Sequence, residues 1–170
     1  MKIINVLTIV LLIIVVISFF KFRKAIIQQK NKKTMYEHMY YVMNTWIKIK
    51  NYGLTICDFC DKHNIKSVAI YAVGEVGSRI YEELEKSNIE VKYFTDKKFI
   101  DNDSYMEYNG IPIVNINNYK DKNEVDAIIV STTFYMDDIT EMLKKMGVIK
   151  PIISLEEVVS KLHDSIENKK

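Results

Sequence analysis

Three apolar patterns follow one another along the chain. From residue 3 to residue 20 no position carries a charge, and only Asn5, Thr8 and Ser18 are polar. Read as a helix, this run rises roughly 27 Å, close to the hydrocarbon thickness of a bilayer. Between residues 34 and 63 the spacing changes. Met35, Met39, Val42, Met43, Trp46 and Ile49 recur at three- and four-residue steps, with Glu37, His38, Asn44, Thr45 and Lys48 opposite, which predicts an amphipathic helix stopping near Gly53. Thr55 and Asp58 have the form of a capping box for a second helix bearing Ile56, Phe59 and Cys60. From residue 66 onward short apolar runs alternate with amphipathic stretches.

Those runs are residues 67–72 (SVAIYA), 90–95 (EVKYFT), 111–115, 125–131 (VDAIIVS) and 151–154 (PIIS). Helical spacing fills residues 75–87, about 136–146, and 155–166. Continuous strand runs between helices predict an α/β fold, a doubly wound Rossmann-like sheet of five parallel strands covered on both faces. Right-handed crossovers give it the order 3-2-1-4-5. The expected organisation is a transmembrane anchor at 1–22, a basic juxtamembrane collar at 23–33, a two-helix lead-in at 34–64, the Rossmann-like domain at 65–166 and a tail at 167–170.

Charge sharpens the first part of this picture. The formal net charge is +2, but Lys21, Arg23, Lys24, Lys30, Lys32 and Lys33 crowd the collar without an acidic residue among them. By the positive-inside rule such a collar places the rest of the chain in the cytoplasm, as a single-pass protein of the cell membrane. The collar can also lie against anionic headgroups of the lipid bilayer. Beyond it the body is mildly acidic, which argues against nucleic acid as a partner. Two cysteines cannot build a disulfide framework.

The candidate chemistry lies where the first strand meets its helix. Ala72-Val73-Gly74-Glu75-Val76-Gly77 is a G-x-G-x-x-G turn with alanine in the first place. In that motif the middle glycine lets backbone approach a pyrophosphate and the last lets helix and strand pack closely, the places held here by Gly74 and Gly77. Asp96 ends the second strand, where an acid can hold a ribose hydroxyl. A packing turn with Asp96 as a simple turn former is the competing reading, and the Glu75 carboxylate beside a helix amino end would repel phosphate. Across the switch point Thr132 and Thr133 follow the fourth strand, as crevice-lining hydroxyls or as helix caps.

The segments AIYAVGEVGSRIYEEL, VKYFTDKK, GIPIVNI, VDAIIVSTTF and PIISLEEVV together resemble the small Rossmann-like domains of bacterial surface-polysaccharide biosynthesis proteins. They are similar to the nucleotide-binding domain of membrane-bound nucleotide-sugar epimerase/dehydratases and to the N-terminal domain of some sugar acyltransferases. The resemblance covers about residues 46–160, and Gly74, Glu75 and Gly77 carry its most specific part. It implies binding of a nucleotide or nucleotide-sugar, with NAD(P) as a candidate cofactor, and supplies no catalytic residue. The expected protein is a membrane-tethered, largely non-catalytic module with Val73, Gly74, Glu75, Val76, Gly77, Asp96, Thr132 and Thr133 at its ligand. Its partner would be a glycan-assembly enzyme, or a second copy through residues 35–49. A reduced NAD(P)-dependent sugar epimerase or dehydrogenase completed by a partner chain, and an interaction domain without ligand, are the alternatives.

Other constellations carry less. Tyr93 and Lys97 have Tyr-x-x-x-Lys spacing, but they fall on a strand and the loop after it rather than on a helix. Cys57 and Cys60 with His63 form a CxxC inside a helix with no second cysteine pair, which suits reduced packing residues better than zinc or a redox dithiol. His38 and His163 lie on helices among polar neighbours.

Overall fold

The computed structural model describes residues 2–99, 106–132 and 134–168, with side chains from residue 11 onward within that set. The chain divides into two compact units, Met1–Met39 and Tyr40–Lys170. Helix α1, Lys2–Asn51, supplies the first unit and the opening residues of the second. No glycine or proline occurs before Gly53, so nothing in the sequence interrupts helical hydrogen bonding across the span and the collar. The helix stops at Gly53, whose φ of +75° is a left-handed conformation that glycine adopts without penalty.

This corrects the expected membrane topology. A helix needs about 20 consecutive apolar residues to span a bilayer, and residues 3–10 of the expected run lie outside the described side chains. Among the described residues no helix is long and apolar enough to cross a membrane. The expected single-pass anchor, with the membrane localisation and the cytoplasmic placement derived from it, is not supported by the described residues. In the first unit, Leu11, Phe19, Phe20 and Phe22 are exposed.

The second unit is α/β. After α2 (Ile56–Lys62) come β1 (Ser67–Tyr71), α3 (Glu75–Leu84), β2 (Glu90–Thr95), β3 (Met106–Tyr108), β4 (Ile111–Val114), β5 (Ala127–Val130), α4 (Met136–Lys145), β6 (Ile152–Ser154) and α5 (Leu155–Glu167). The sheet order is β3-β4-β2-β1-β5-β6. The expected five-stranded, all-parallel sheet in order 3-2-1-4-5 is therefore corrected to a mixed sheet of six. Pairing is parallel from β4 through β2, β1 and β5 to β6, and β3 adds an antiparallel edge on β4. The extra strand is made by a tight hairpin. Asn109 and Gly110 take φ of +51° and +79°, the left-handed pair that a two-residue turn between right-twisted strands demands.

Strand alternation divides the core. Val68 and Ile70 point to one layer with Ile80 and Leu84 of α3, Ile56 and Phe59 of α2, and Val158 and Leu162 of α5. Val42, Trp46 and Ile49 of α1 complete that layer, so three residues of the predicted stripe are core and unavailable to a second copy. Ala69 and Tyr71 point the other way, to Tyr93, Ile116, Ile139 and Leu143 of the α4 face. The carboxyl ends of β1, β2 and β5 thus open between two differently built faces.

Candidate functional site

The turn after β1 is built around Ala72. Its φ of +75° is the left-handed conformation that the first glycine of the motif would adopt freely, and in alanine it costs roughly 1–2 kcal/mol. Neighbours hold it there. The Ala72 N–H donates to Thr95 O at 2.8 Å, and Ala72 O accepts from Gly74 N at 3.2 Å and from Ser131 Oγ at 3.3 Å. The same carbonyl explains Gly77. A Cβ at residue 77 would lie 2.2 Å from Ala72 O, closer than any real contact. A Cβ at Gly74 meets no described atom within 4 Å, and that residue is extended, at φ −147° and ψ −170°.

Gly74 caps α3 and offers no side chain to its first turn. Among the described residues no side chain caps the Glu75, Val76 and Gly77 N–H groups that open the helix, and the positive end of the helix dipole favours an anion there. Glu75 does not close this end. Its side chain is 94% exposed and lies 3.8 Å from Arg79 of the next turn.

Asp96 ties the turn to β2. Its Oδ2 accepts from Val73 N at 3.1 Å and its Oδ1 from Lys98 N at 3.1 Å. The second bond is an Asx turn, so the carboxylate is a turn former as well as a candidate ligand. Each oxygen keeps a further lone pair.

A cleft of about 670 Å³ opens beside Asp96, lined by Tyr71, Ala72, Asp96, Lys97, Thr132, Tyr135, Asp138, Ile139 and Met142. It brings together Asp96 and Thr132, and it excludes Gly74, Glu75, Val76 and Gly77 from its walls. Thr133 lies outside the described residues. The cleft is floored by Tyr71, which is 4% exposed and whose phenol is pushed up from its ordinary pKa by burial and then by the Asp96 carboxylate. The α4 wall was not picked out by motif reasoning. Tyr135, Asp138, Ile139 and Met142 have i, i+3, i+4, i+7 spacing directly after the switch-point strand, the signal that would have found them.

The remaining constellations are structural. The Tyr93 hydroxyl donates to Lys122 O at 2.7 Å and its ring packs on Tyr119, so it is held by the fold. Burial pushes the Cys60 thiol up to about 12, while Cys57 Sγ lies 3.7 Å from Glu83 O. His63 stacks on Phe59, and its Nδ1 is 2.8 Å from Phe59 O. His163 lies 2.7 Å from Lys48 Nζ. Among the described residues no group of three or more His, Cys, Asp or Glu side chains could hold a metal ion.

Comparison with known proteins adds one finding. No curated protein and no solved structure matches the chain. A family model described as C2185-like, N-terminal, matches residues 64–166, from just before β1 to the last core residue of α5. That span is more than half of the chain and contains the glycine turn and the whole cleft; the protein belongs to the C2185-like N-terminal family.

Proposed function

We propose that this protein binds a nucleotide or nucleotide-sugar at the carboxyl end of its sheet, as a largely non-catalytic module. The observation that carries the reading is the cleft at the ends of β1, β2 and β5, bounded by Asp96 and Thr132, with the uncapped amino end of α3 beside it. Ligands of open α/β sheets bind outside the carboxyl ends of strands at the switch point. The diphosphate would meet the Glu75, Val76 and Gly77 N–H groups over Gly74, where no described atom lies within 4 Å of an added Cβ. Asp96, next to Lys97, would take a ribose or sugar hydroxyl. The resemblance of the glycine turn to domains of surface-polysaccharide biosynthesis gives the ligand class and makes a glycan-assembly enzyme the partner.

Titration of the full chain with NAD, NADP, coenzyme A and UDP-sugars, read by thermal stability, tests the proposal. A ligand at 100 times its Kd should add about 2.7 kcal/mol. A shift with one of these classes is expected. No shift with any of them would reduce the turn and cleft to architecture and leave an interaction domain. A shift with NAD and turnover on adding a second protein would point instead to a reduced epimerase or dehydrogenase.

A further inference from the structure

The walls of the cleft say which part of such a ligand enters it. Among the described lining residues Asp96 and Asp138 are set against one ammonium, that of Lys97, so this lining is formally negative. Asp138 belongs to the first turn of α4, where Asp137 adds a second carboxylate. A phosphate or other acidic group placed here would be repelled, whereas the amino end of α3, two residues along from Ala72, favours one. The Asp96 oxygens are each occupied by one backbone N–H at 3.1 Å and can each accept one more hydrogen bond. Hydroxyl donors satisfy such acceptors without adding charge. Tyr71, Ile139 and Met142 supply apolar surface between the polar groups, and Tyr135, half exposed, stands at the rim. A ring with hydroxyls around its edge and C–H groups on its faces matches both kinds of wall.

We infer that the cleft is a glycosyl subsite selective for uncharged sugars, with Asp96, Asp138 and Tyr135 as its specificity residues. The ligand is then a nucleotide-sugar with a neutral hexose rather than a dinucleotide. This rests on the nucleotide reading above and makes a separate demand. The diphosphate is held at Gly74, and the sugar must add affinity of its own.

Calorimetric titration of the full chain with UDP, UDP-glucose and UDP-glucuronate separates the two, with ADP and ADP-glucose as the purine counterparts. UDP-glucose should bind at least tenfold more tightly than UDP, and UDP-glucuronate at least tenfold more weakly than UDP-glucose. Asp138→Asn, at an exposed position, should narrow the gap between the two sugars at least threefold and leave UDP binding unchanged. Equal affinity for UDP and UDP-glucose, or for the neutral and acidic sugars, would overturn the glycosyl subsite while the nucleotide site stood. Failure of every nucleotide and nucleotide-sugar to bind would overturn both.

Discussion

The carbonyl oxygen of Ala72 decides what residue 77 can be. A methyl there must displace a backbone atom that is itself fixed by Gly74 N and Ser131 Oγ, so neither side can yield cheaply. Gly77→Ala should cost about 3 kcal/mol, the upper end of overpacking penalties, read as a lower urea midpoint at unchanged m-value. Gly74 has no such neighbour, and alanine adopts its backbone angles without strain. Gly74→Ala should leave stability within about 0.5 kcal/mol of the parent, the range of surface substitutions. It should nevertheless weaken nucleotide binding tenfold or more, because the methyl would stand where the diphosphate approaches backbone. The two glycines of one motif thus answer different questions. Loss of stability at Gly74, or full ligand affinity in Gly74→Ala, would remove the phosphate from this turn.

Elements are joined by a few polar contacts, and these can be tested one at a time. Glu83 of α3 has a side chain only 5% exposed, accepting from Lys50 Nζ of α1 at 2.6 Å and from Ile56 N of α2 at 2.6 Å. Glu83→Ala leaves the first N–H of α2 without its acceptor and should cost about 2 kcal/mol. Combined with Lys50→Ala, the loss in urea stability should be less than additive, since both changes remove one contact. Asp126 plays a similar part at the start of the sheet. Its carboxylate accepts from Lys66 N at 2.8 Å, Ser67 N at 2.9 Å and Ser67 Oγ at 3.2 Å, tying the entry of β5 to that of β1. The Lys66 N–H, then that of Ser67, hold its pKa below the ordinary carboxylate value. A depressed folded pKa contributes stability above the unfolded value near 4, which is lost as pH falls through the folded value. Urea midpoints between about pH 5 and pH 2 should therefore fall less steeply in Asp126→Asn than in the parent; identical slopes would exclude this linkage. Legibility at this scale followed the length of the pattern. Residues 67–72 read as a strand because the run is apolar throughout, while Met106–Tyr108 is three residues of mixed character at a sheet edge, where period two cannot be counted. Its sign was the Asn109-Gly110 pair, a hairpin signal that the surrounding polarity made look like open loop. The cleft was half legible for a related reason. Motif spacing leads to Asp96 and Thr132, but the α4 wall is an ordinary amphipathic face whose exposed edge acquires meaning only when β5 places it beside β1.

At the scale of the whole molecule, the family span and the folding unit do not coincide. The matched region begins at residue 64, whereas the compact unit begins at Tyr40. Val42, Trp46, Ile49, Ile56 and Phe59 lie between those two starts, and all five are buried in the layer that covers Val68 and Ile70. Full burial of such side chains is worth roughly 1.5–3 kcal/mol each, so together they contribute on the order of 10 kcal/mol. That is comparable to the entire stability of an ordinary domain, about 5–15 kcal/mol. Removing them would also strip one face of a sheet whose central strands are buried on both sides, and would leave Glu83 without Lys50 and Ile56. A fragment of residues 40–170 should therefore unfold in a single cooperative urea transition. A fragment of residues 64–170 should lack that transition and expose apolar surface to a dye such as ANS. The cleft residues are identical in the two fragments, so a folded, cooperative 64–170 would show that the helical lead-in is dispensable. Loss of cooperativity would show that the sheet, and with it the carboxyl-end cleft, depends on a helix that precedes the family region.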